Sequence, residues 1–244
     1  MKYGGLIIKG VSWWDAFGGT ALPETPELHR RRLAVAELGA QLRALIDASV
    51  RTEVPTETVE RTAAAVRELI GPLTEQARSL RAPPSVDDLA GGVRLLNPVI
   101  GAGNPIAPPV RVHAEPGRVE AECTLGLAYE GPHMYGHGGI SALLLDQVLG
   151  HVAASAGNAG VTTGLSLSYR KPVPLEVPLR IHGEVTEVDG RRTTVKGAIA
   201  TAAEPDVPLV EAEGEFLRLR DDQVKRLFAE SLSPDTTDPE AAHD

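Results

Sequence analysis

Apolar residues recur at helical spacing in residues 26–81, the first patterned zone of the chain. Thr25-Pro26 supplies a cap and a first-turn proline for one helix, and Val54-Pro55-Thr56 ends that helix and starts another. We expect Gly71-Pro72 to interrupt or kink the second helix and Ala82-Pro83-Pro84 to end the zone. The pattern predicts an amphipathic helical hairpin that packs on a neighbour.

The pattern changes to strict alternation of apolar and polar residues from residue 110 to about residue 219. The alternation predicts a β-hairpin over residues 110–125 and four later strands, two of them joined by a turn at Asp189-Gly190. One apolar helix, from about Gly139 to Ala154, separates the hairpin from the four strands. Because this helix is apolar on nearly all sides, it should be buried on nearly all sides, with an antiparallel sheet curled around it.

The elements divide the chain into five segments. A stretch rich in Gly, Pro and Asn lies before the alternating zone and predicts a long connection over the surface of the next domain. The last residues are polar and acidic, with a short amphipathic stretch before them, and we expect them to be partly disordered. The predicted segments are an N-terminal arm (1–25), a helical extension (26–84), a connecting segment (85–109), an α+β domain (110–220) and an acidic C-terminal tail (221–244).

Composition narrows the classes of partner and compartment. The formal net charge of -9 argues against nucleic acid or an anionic membrane as the main partner. A lone cysteine, Cys123, excludes an internal disulfide framework and falls on an inward strand face, where it should act as a small core hydrophobe. No apolar run approaches the ~20 residues of a membrane helix, and no secretory signal is recognisable. A reducing cytoplasm is therefore the expected setting.

The apolar helix contains one charged residue, Asp146, between Leu143-Leu144-Leu145 and Val148-Leu149. A carboxylate in such surroundings costs free energy unless it is paired or used in chemistry. One interpretation is therefore a catalytic carboxylate. The other is a structural aspartate that reaches the solvent rim or a neighbouring Thr, Ser or backbone N–H.

The helix begins at His137-Gly138-Gly139, after a loop that is also rich in glycine. Glycines allow a substrate carbonyl to approach the backbone closely, and the first N–H groups of a helix lack internal partners. The helix dipole also favours negative charge at this end. The turn is thus suited to the oxyanion of acyl transfer, although a plain glycine-rich helix entry has the same sequence.

The spacing of these two features predicts an oligomer. Gly139 and Asp146 are seven positions apart, which places them on nearly the same helix face but ~10 Å apart along the axis. An aspartate side chain cannot close that gap, yet a carboxylate-activated water and an oxyanion site must meet at one carbonyl carbon. We therefore expect the aspartate of one subunit to face the glycines of another.

Three runs of residues carry a family resemblance. They are Tyr129-Glu130-Gly131-Pro132, the run His137-Gly138-Gly139-Ile140-Ser141-Ala142-Leu143-Leu144-Leu145-Asp146, and Thr162-Thr163-Gly164-Leu165-Ser166-Leu167-Ser168-Tyr169-Arg170-Lys171-Pro172. The combined motifs resemble the hotdog-fold thioesterases of the phenylacetate-pathway (PaaI) and thioesterase-superfamily-member type, and the resemblance covers roughly residues 104–219. It implies a hotdog fold, an antiparallel sheet wrapped around one central helix, with an N-terminal helical extension.

The resemblance also implies catalytic roles. Asp146 would activate water or attack the thioester directly. The Gly139 N–H would polarise the thioester carbonyl, with His137 and Gly138 shaping the turn. Thr162 matches a position whose hydroxyl helps to hold the carboxylate or the water.

Further residues are predicted to bind substrate. Thr163 follows Thr162 in the motif, and Arg170 and Lys171 are candidates for the phosphates of CoA, if they are not simply a solvated strand end. Some relatives carry Asn or Gln in the loop before the glycine pair. Here that loop offers His133 and Tyr135 instead.

Together these features predict an acyl-CoA thioesterase of lipid or fatty acid metabolism, a homodimer or a tetramer built of dimers, without metal or organic cofactor. His133, His137, Asp146 and His151 do not form a compact metal-ligand spacing, and no G-x-S-x-G nucleophile motif is present. Two alternatives remain: a non-catalytic acyl-CoA-binding or protein-interaction module, and an enoyl-thioester hydratase.

Overall fold

The computed structural model describes residues 22–88, 90–108 and 110–227. The predicted arm before residue 22 and the predicted tail beyond residue 227 lie outside the described residues. Within the described parts, no helix is long and apolar enough to cross a membrane.

Two helices open the described chain, α1 (Pro26–Arg51) and α2 (Thr56–Thr74). The Thr25 hydroxyl accepts a hydrogen bond from the Leu28 N–H at 3.1 Å, which confirms the predicted cap. The predicted interruption at Gly71-Pro72 is wrong, because α2 continues through it to Thr74, and the alternative of a kink stays a prediction. Pro72 has no N–H to donate to the Glu68 carbonyl, and the helix ends two residues after it.

Of the two helices α1 and α2, the first is the one that is anchored to the rest of the described chain. The buried Arg32 donates from Nε to the Val86 carbonyl, and Arg43 donates from Nη1 to the carbonyls of Ala102 and Asn104. At the end of the helix, Arg51 forms an ion pair with Glu176 at 2.5 Å. In contrast, α2 contributes no buried residue.

The connection that follows α2 enters the core as well as covering it. The Asn97 side-chain oxygen accepts hydrogen bonds from the N–H groups of Val99 and Ile100, and both apolar side chains belong to the hydrophobic core. The expectation of a purely surface connection is therefore wrong at this point, because the folded-back loop brings two apolar residues under the sheet.

The predicted order ββαββββ is confirmed, and all strand pairs of the sheet are antiparallel. The strand order is β1-β2-β4-β5-β6-β3, which leaves β3 at one edge. This is the hotdog fold. The elements are β1 (Arg111–Glu115), β2 (Arg118–Thr124), a 3-10 helix (Leu127–Tyr129), α3 (Gly138–Ser155), β3 (Val161–Tyr169), β4 (Pro178–Asp189), β5 (Arg192–Thr201), β6 (Val210–Leu217) and α4 (Asp221–Leu227).

The central helix α3 packs one face tightly into the sheet. Six apolar side chains of the helix are at most 1% exposed: Leu144, Leu145, Val148, Leu149, Val152 and Ala153. Cys123 on β2 is buried in the same core, and burial raises the pKa of its thiol to about 12, which keeps it protonated as a small hydrophobe.

Another face of α3 remains open in the single chain. Gly139 is exposed, Leu143 is 38% exposed, and Asp146 and Gly150 are only partly buried. The expectation that the helix is buried on nearly all sides is thus wrong for this face. In the described chain, β3 borders this face where Thr162 bonds to Asp146, and Gly139 and Leu143 stay exposed.

Candidate active site

Asp146 lies half-buried on the open face of α3 and is held by a threonine. The Thr162 hydroxyl donates to Asp146 Oδ1 at 2.9 Å, which leaves Oδ2 available to water or substrate. Thr162 lies on the edge strand β3, where the register with β6 shifts between Thr162 and Gly164. The Thr163 hydroxyl, inside this irregularity, donates to the Glu215 carbonyl at 3.2 Å.

The glycine turn at the start of α3 has one occupied and one unoccupied N–H group. His137 is the N-cap, and its Nδ1 accepts a hydrogen bond from the Gly139 N–H at 3.0 Å. Nδ1 must therefore be unprotonated in this arrangement. Within the described chain, the Gly138 N–H donates to no other atom, so it is the donor of the pair that remains free.

The loop before the turn is ordered by its own hydrogen bonds. Glu130 Oε1 accepts from the Met134 N–H at 2.8 Å, and Met134 adopts a left-handed φ of 71°. Gly131 must be glycine, because a Cβ there would lie 2.7 Å from the His137 Cα. The predicted binding residues His133 and Tyr135 are both exposed on this loop, and His133 lies 3.5 Å from Glu130.

Tyr169 contacts the glycine turn, although the sequence patterns did not mark it as a site residue. Its hydroxyl donates to the Gly138 carbonyl at 3.0 Å. Its ring lies against the same glycine, since a Cβ built on Gly138 would be 3.3 Å from Tyr169 Cε1. The only sequence signal was the position of Tyr169 at the end of β3, directly before Arg170-Lys171.

The two predicted phosphate-binding cations differ in their surroundings. Arg170 forms an ion pair from Nε to Glu211 Oε2 at 2.7 Å, which partly neutralises its charge. Lys171 is exposed and forms no ion pair with any described residue. Of the two cations, Lys171 is therefore the one whose charge is not already neutralised by a carboxylate of the described chain.

A polar string runs beside Asp146 beneath the connecting loop. Asn97 Nδ2 donates to Gln147 Oε1 at 3.2 Å, and Gln147 Nε2 lies 3.0 Å from His151 Nε2. Burial lowers the pKa of His151 to about 4, so the ring is neutral at physiological pH and Nε2 accepts the amide hydrogen. The sequence patterns did not reveal this string.

The two predicted catalytic groups do not meet within one chain. Since α3 is continuous from Gly138 to Ser155, its glycine turn and Asp146 remain ~10 Å apart along the axis. A cavity of about 500 Å³ opens beside Arg43, but neither Asp146 nor the turn lines it. No group of three or more His, Cys, Asp or Glu side chains is arranged to hold a metal ion among the residues that the structure describes.

Comparison with known proteins places this site in a family context. The family model of the thioesterase superfamily matches residues 135–208, a span that includes every predicted site residue except His133. The crystal structure of a thioesterase superfamily protein is 38% identical, with a TM-score of 0.67, over 75% of this chain and 94% of that one.

Curated relatives match over a shorter span. Acyl-coenzyme A thioesterase THEM4 of Mus musculus is 31% identical over 94 residues, which is 38% of this chain and 40% of that protein. The same enzyme of Rattus norvegicus is 29% identical over 98 residues, or 40% of this chain and 42% of that protein. The chain thus spans about two fifths of the length of the curated relatives it matches.

Proposed function

Because the chain belongs to the thioesterase superfamily, we propose that it hydrolyses an acyl-CoA thioester to a free carboxylic acid and CoA. The observation that best supports this proposal is Asp146. Its carboxylate accepts a hydrogen bond from the Thr162 hydroxyl and lies on the helix face that the described chain leaves partly open. The THEM4 proteins of mouse and rat are named acyl-coenzyme A thioesterases, and they match 38% and 40% of this chain.

The chemistry requires a base, a water and a site for negative charge. Asp146 Oδ2 takes a proton from a water whose oxygen then bonds to the thioester carbon. The carbonyl oxygen becomes negative and accepts hydrogen bonds at the start of α3, where the helix dipole also favours it. The C–S bond then breaks, and the proton passes from Asp146 to the thiolate sulfur of CoA. Direct attack by Asp146 on the carbonyl carbon is the alternative first step.

The Gly138 N–H is the better oxyanion donor of the glycine pair. The Gly139 N–H, which the family resemblance favours, is taken by His137 Nδ1 and becomes available only if that side chain rotates away. The Gly138 N–H has no such competitor in the described chain. His137 then acts as the cap that fixes the turn.

We propose that two copies of the chain share each active site. The turn of one copy would meet Asp146 of another, since one continuous helix keeps its own two groups ~10 Å apart. Two features favour this assembly: the partly exposed Leu143 beside Asp146, and the unpaired outer edge of β3, which could pair with the same edge of a second copy. Whether two such dimers form a tetramer stays a prediction.

The substrate side of the proposal uses the exposed residues around the turn. Lys171, with Arg170 in support, would bind the phosphates of CoA. His133 and Tyr135 would contact the thioester end from the loop, and Thr163 would border the carboxylate. Neither a metal nor an organic cofactor takes part in this reaction, because the carboxylate activates the water.

The first experiment measures release of free thiol from a panel of acyl-CoAs. Asp146→Asn keeps the size of the side chain and removes the base, so we expect thiol release to fall about 1000-fold with little change in melting temperature. Asp206→Asn is the matched control, because Asp206 is an exposed carboxylate in the loop between β5 and β6 and is not one of the predicted site residues. Equal background release by wild type and Asp146→Asn contradicts the enzyme, and binding of acyl-CoA without release favours the non-catalytic module.

A second experiment tests the shared site. Asp146→Asn lacks the base, and Gly138→Val disrupts the turn because its side chain would meet the Tyr169 ring. If sites span two copies, a dimer mixed from these two inactive variants contains one intact site and regains about half of the activity. No recovery after subunit exchange, or an active monomer in sedimentation, contradicts the shared site.

A further inference from the structure

Tyr169 makes two separate contacts with the residue that bears the proposed oxyanion donor. The hydroxyl donates to the Gly138 carbonyl at 3.0 Å, and the ring packs where a Cβ of Gly138 would project. The two residues are 31 positions apart in the sequence. Tyr169 is the last residue of β3, and Gly138 is the first residue of α3. Tyr169 is 57% exposed, so this is not a side chain buried for packing alone.

The turn needs an external restraint because its two residues are glycines. Glycine has no Cβ to limit its φ and ψ, so the direction of a glycine N–H is held only by contacts with its neighbours. His137 restrains the Gly139 N–H, and Tyr169 restrains the carbonyl of the same peptide group. The peptide plane between Gly138 and Gly139 is therefore held from both ends. The ring contact holds the Gly138 α-carbon, which joins this plane to the preceding peptide that bears the Gly138 N–H.

We propose that Tyr169 is a positioning residue for the oxyanion turn, holding Gly138 so that its N–H keeps one direction toward the substrate carbonyl. This inference rests on the proposed thioesterase function. Tyr169 does not touch the reacting atoms in this role. It acts through the backbone of Gly138, with the hydroxyl fixing the carbonyl and the ring fixing the α-carbon.

The restraint explains why two different features of Tyr169 should matter separately. Tyr169→Phe keeps the ring and removes the hydrogen bond, which should lower kcat about fivefold. Tyr169→Ala removes both contacts and should lower kcat about 50-fold, still less than loss of a donor that touches the oxyanion. KM should change less than twofold in Tyr169→Phe, because ground-state binding of CoA does not depend on the direction of this N–H.

The matched control is Tyr129→Phe. It makes the same chemical change at a hydroxyl whose contact is the Ile106 carbonyl at 3.4 Å, away from the Gly138 carbonyl. We expect kcat of this control to match wild type. Melting temperatures of both variants should stay within a few degrees of wild type, since each loses one exposed or weak hydrogen bond.

A spectroscopic measurement tests the restraint without turnover. In protein labelled with 15N-glycine, the Gly139 amide resonance should shift in Tyr169→Phe, because its peptide carbonyl has lost a hydrogen bond. The same resonance should not shift in Tyr129→Phe.

The outcomes separate the two proposals. A wild type that hydrolyses acyl-CoA, with Tyr169→Phe unchanged in kcat, overturns the positioning role and leaves the proposed function intact. A higher KM at unchanged kcat also overturns it, since Tyr169 then binds substrate directly. A wild type without turnover contradicts the proposed function and the catalytic role together, and an unmoved Gly139 resonance further shows that Tyr169 does not order the turn.

Discussion

Two faces of helix α3 both carry leucine side chains, but the surroundings of these faces in the folded chain differ. On the face toward the sheet, Leu144 and Leu149 are fully buried, and the sheet opposite them contains glycines that make room for Leu149. On the open face, Leu143 is 38% exposed and Asp146 is half-buried. One face therefore holds the fold together, and the other carries the proposed catalytic carboxylate and the proposed contact with a second copy.

Because of this difference, we expect substitutions only a few residues apart to change different properties of the protein. A side chain removed from the packed face leaves a cavity and destabilises the chain. A side chain removed from the open face leaves no cavity in the single chain and should act on association or catalysis. The following tests challenge that division, beginning with the largest expected change in free energy.

We expect a substitution on the packed face to lower the free energy of unfolding. Leu149→Ala should lower the free energy of unfolding by about 3 kcal/mol, because the fully buried side chain leaves a cavity between helix and sheet. Denaturant unfolding measured by circular dichroism checks this. A loss below about 1 kcal/mol would mean that the helix is not packed as described.

The buried flank of the helix should be sensitive to pH. The pKa of His151 is about 4 in the folded chain and 6.5 where the ring is not buried, as in the unfolded chain. Between these two pH values, the unfolded chain therefore binds a proton that the folded chain does not bind. The contribution of His151 to stability is therefore fully present above pH 6.5 and falls as the pH decreases, by about 2 kcal/mol at pH 5.

The measurement compares unfolding free energies at pH 7.5 and pH 5 for wild type and His151→Asn. The variant should lose about 2 kcal/mol less than wild type over this interval. His113→Asn, at an exposed position of β1, is the control and should retain the wild-type dependence. The same pH dependence in all three proteins would refute the contribution of His151.

The support of the carboxylate should affect catalysis before stability. Thr162→Val keeps the shape of the side chain and removes the hydroxyl that holds Asp146 Oδ1, so we expect kcat to fall about tenfold. Thr186→Val is the matched control, since its hydroxyl bonds to the Thr194 carbonyl on other strands. Steady-state kinetics with one acyl-CoA decides between them, and equal kcat values would remove Thr162 from the site.

The open face should show the smallest effect on the single chain. Leu143→Ala should change the unfolding of the monomer by less than about 1 kcal/mol, because the side chain is already partly exposed. If a second copy covers this face, the dissociation constant of the dimer should rise about threefold to fivefold. Sedimentation over a range of concentrations measures this, and an unchanged constant would exclude Leu143 from the interface.

The sequence predicted those features that depend on local pattern. Alternation gave the strands, and the Asp189-Gly190 turn does join β4 to β5. Thr25 caps α1 as its position suggested. Asp146 was singled out because a carboxylate in an apolar helix is costly, and its contact with Thr162 agrees with both the structural and the catalytic interpretation.

The features that the sequence did not predict depend on long-range register. Tyr169 reaches Gly138 only because β3 ends beside the start of α3, and residues 31 positions apart reveal no such contact by periodicity. The string from Asn97 to His151 depends on how a loop folds back over the helix. The open face of α3 could not be predicted either. An apolar side chain indicates that it will be buried, but not whether the residues that bury it belong to the same chain or to another.

The glycines opposite Leu149 couple the fold to the position of the carboxylate. A Cβ on Gly197 would lie 2.7 Å from Leu149 Cδ2, and one on Gly183 would lie 2.8 Å from the same atom. Since Leu149 is less than one helical turn from Asp146, an added methyl group in the sheet would act as a wedge that shifts the helix and its carboxylate together. A substitution at either glycine is thus expected to displace the proposed catalytic carboxylate as well as the core side chain.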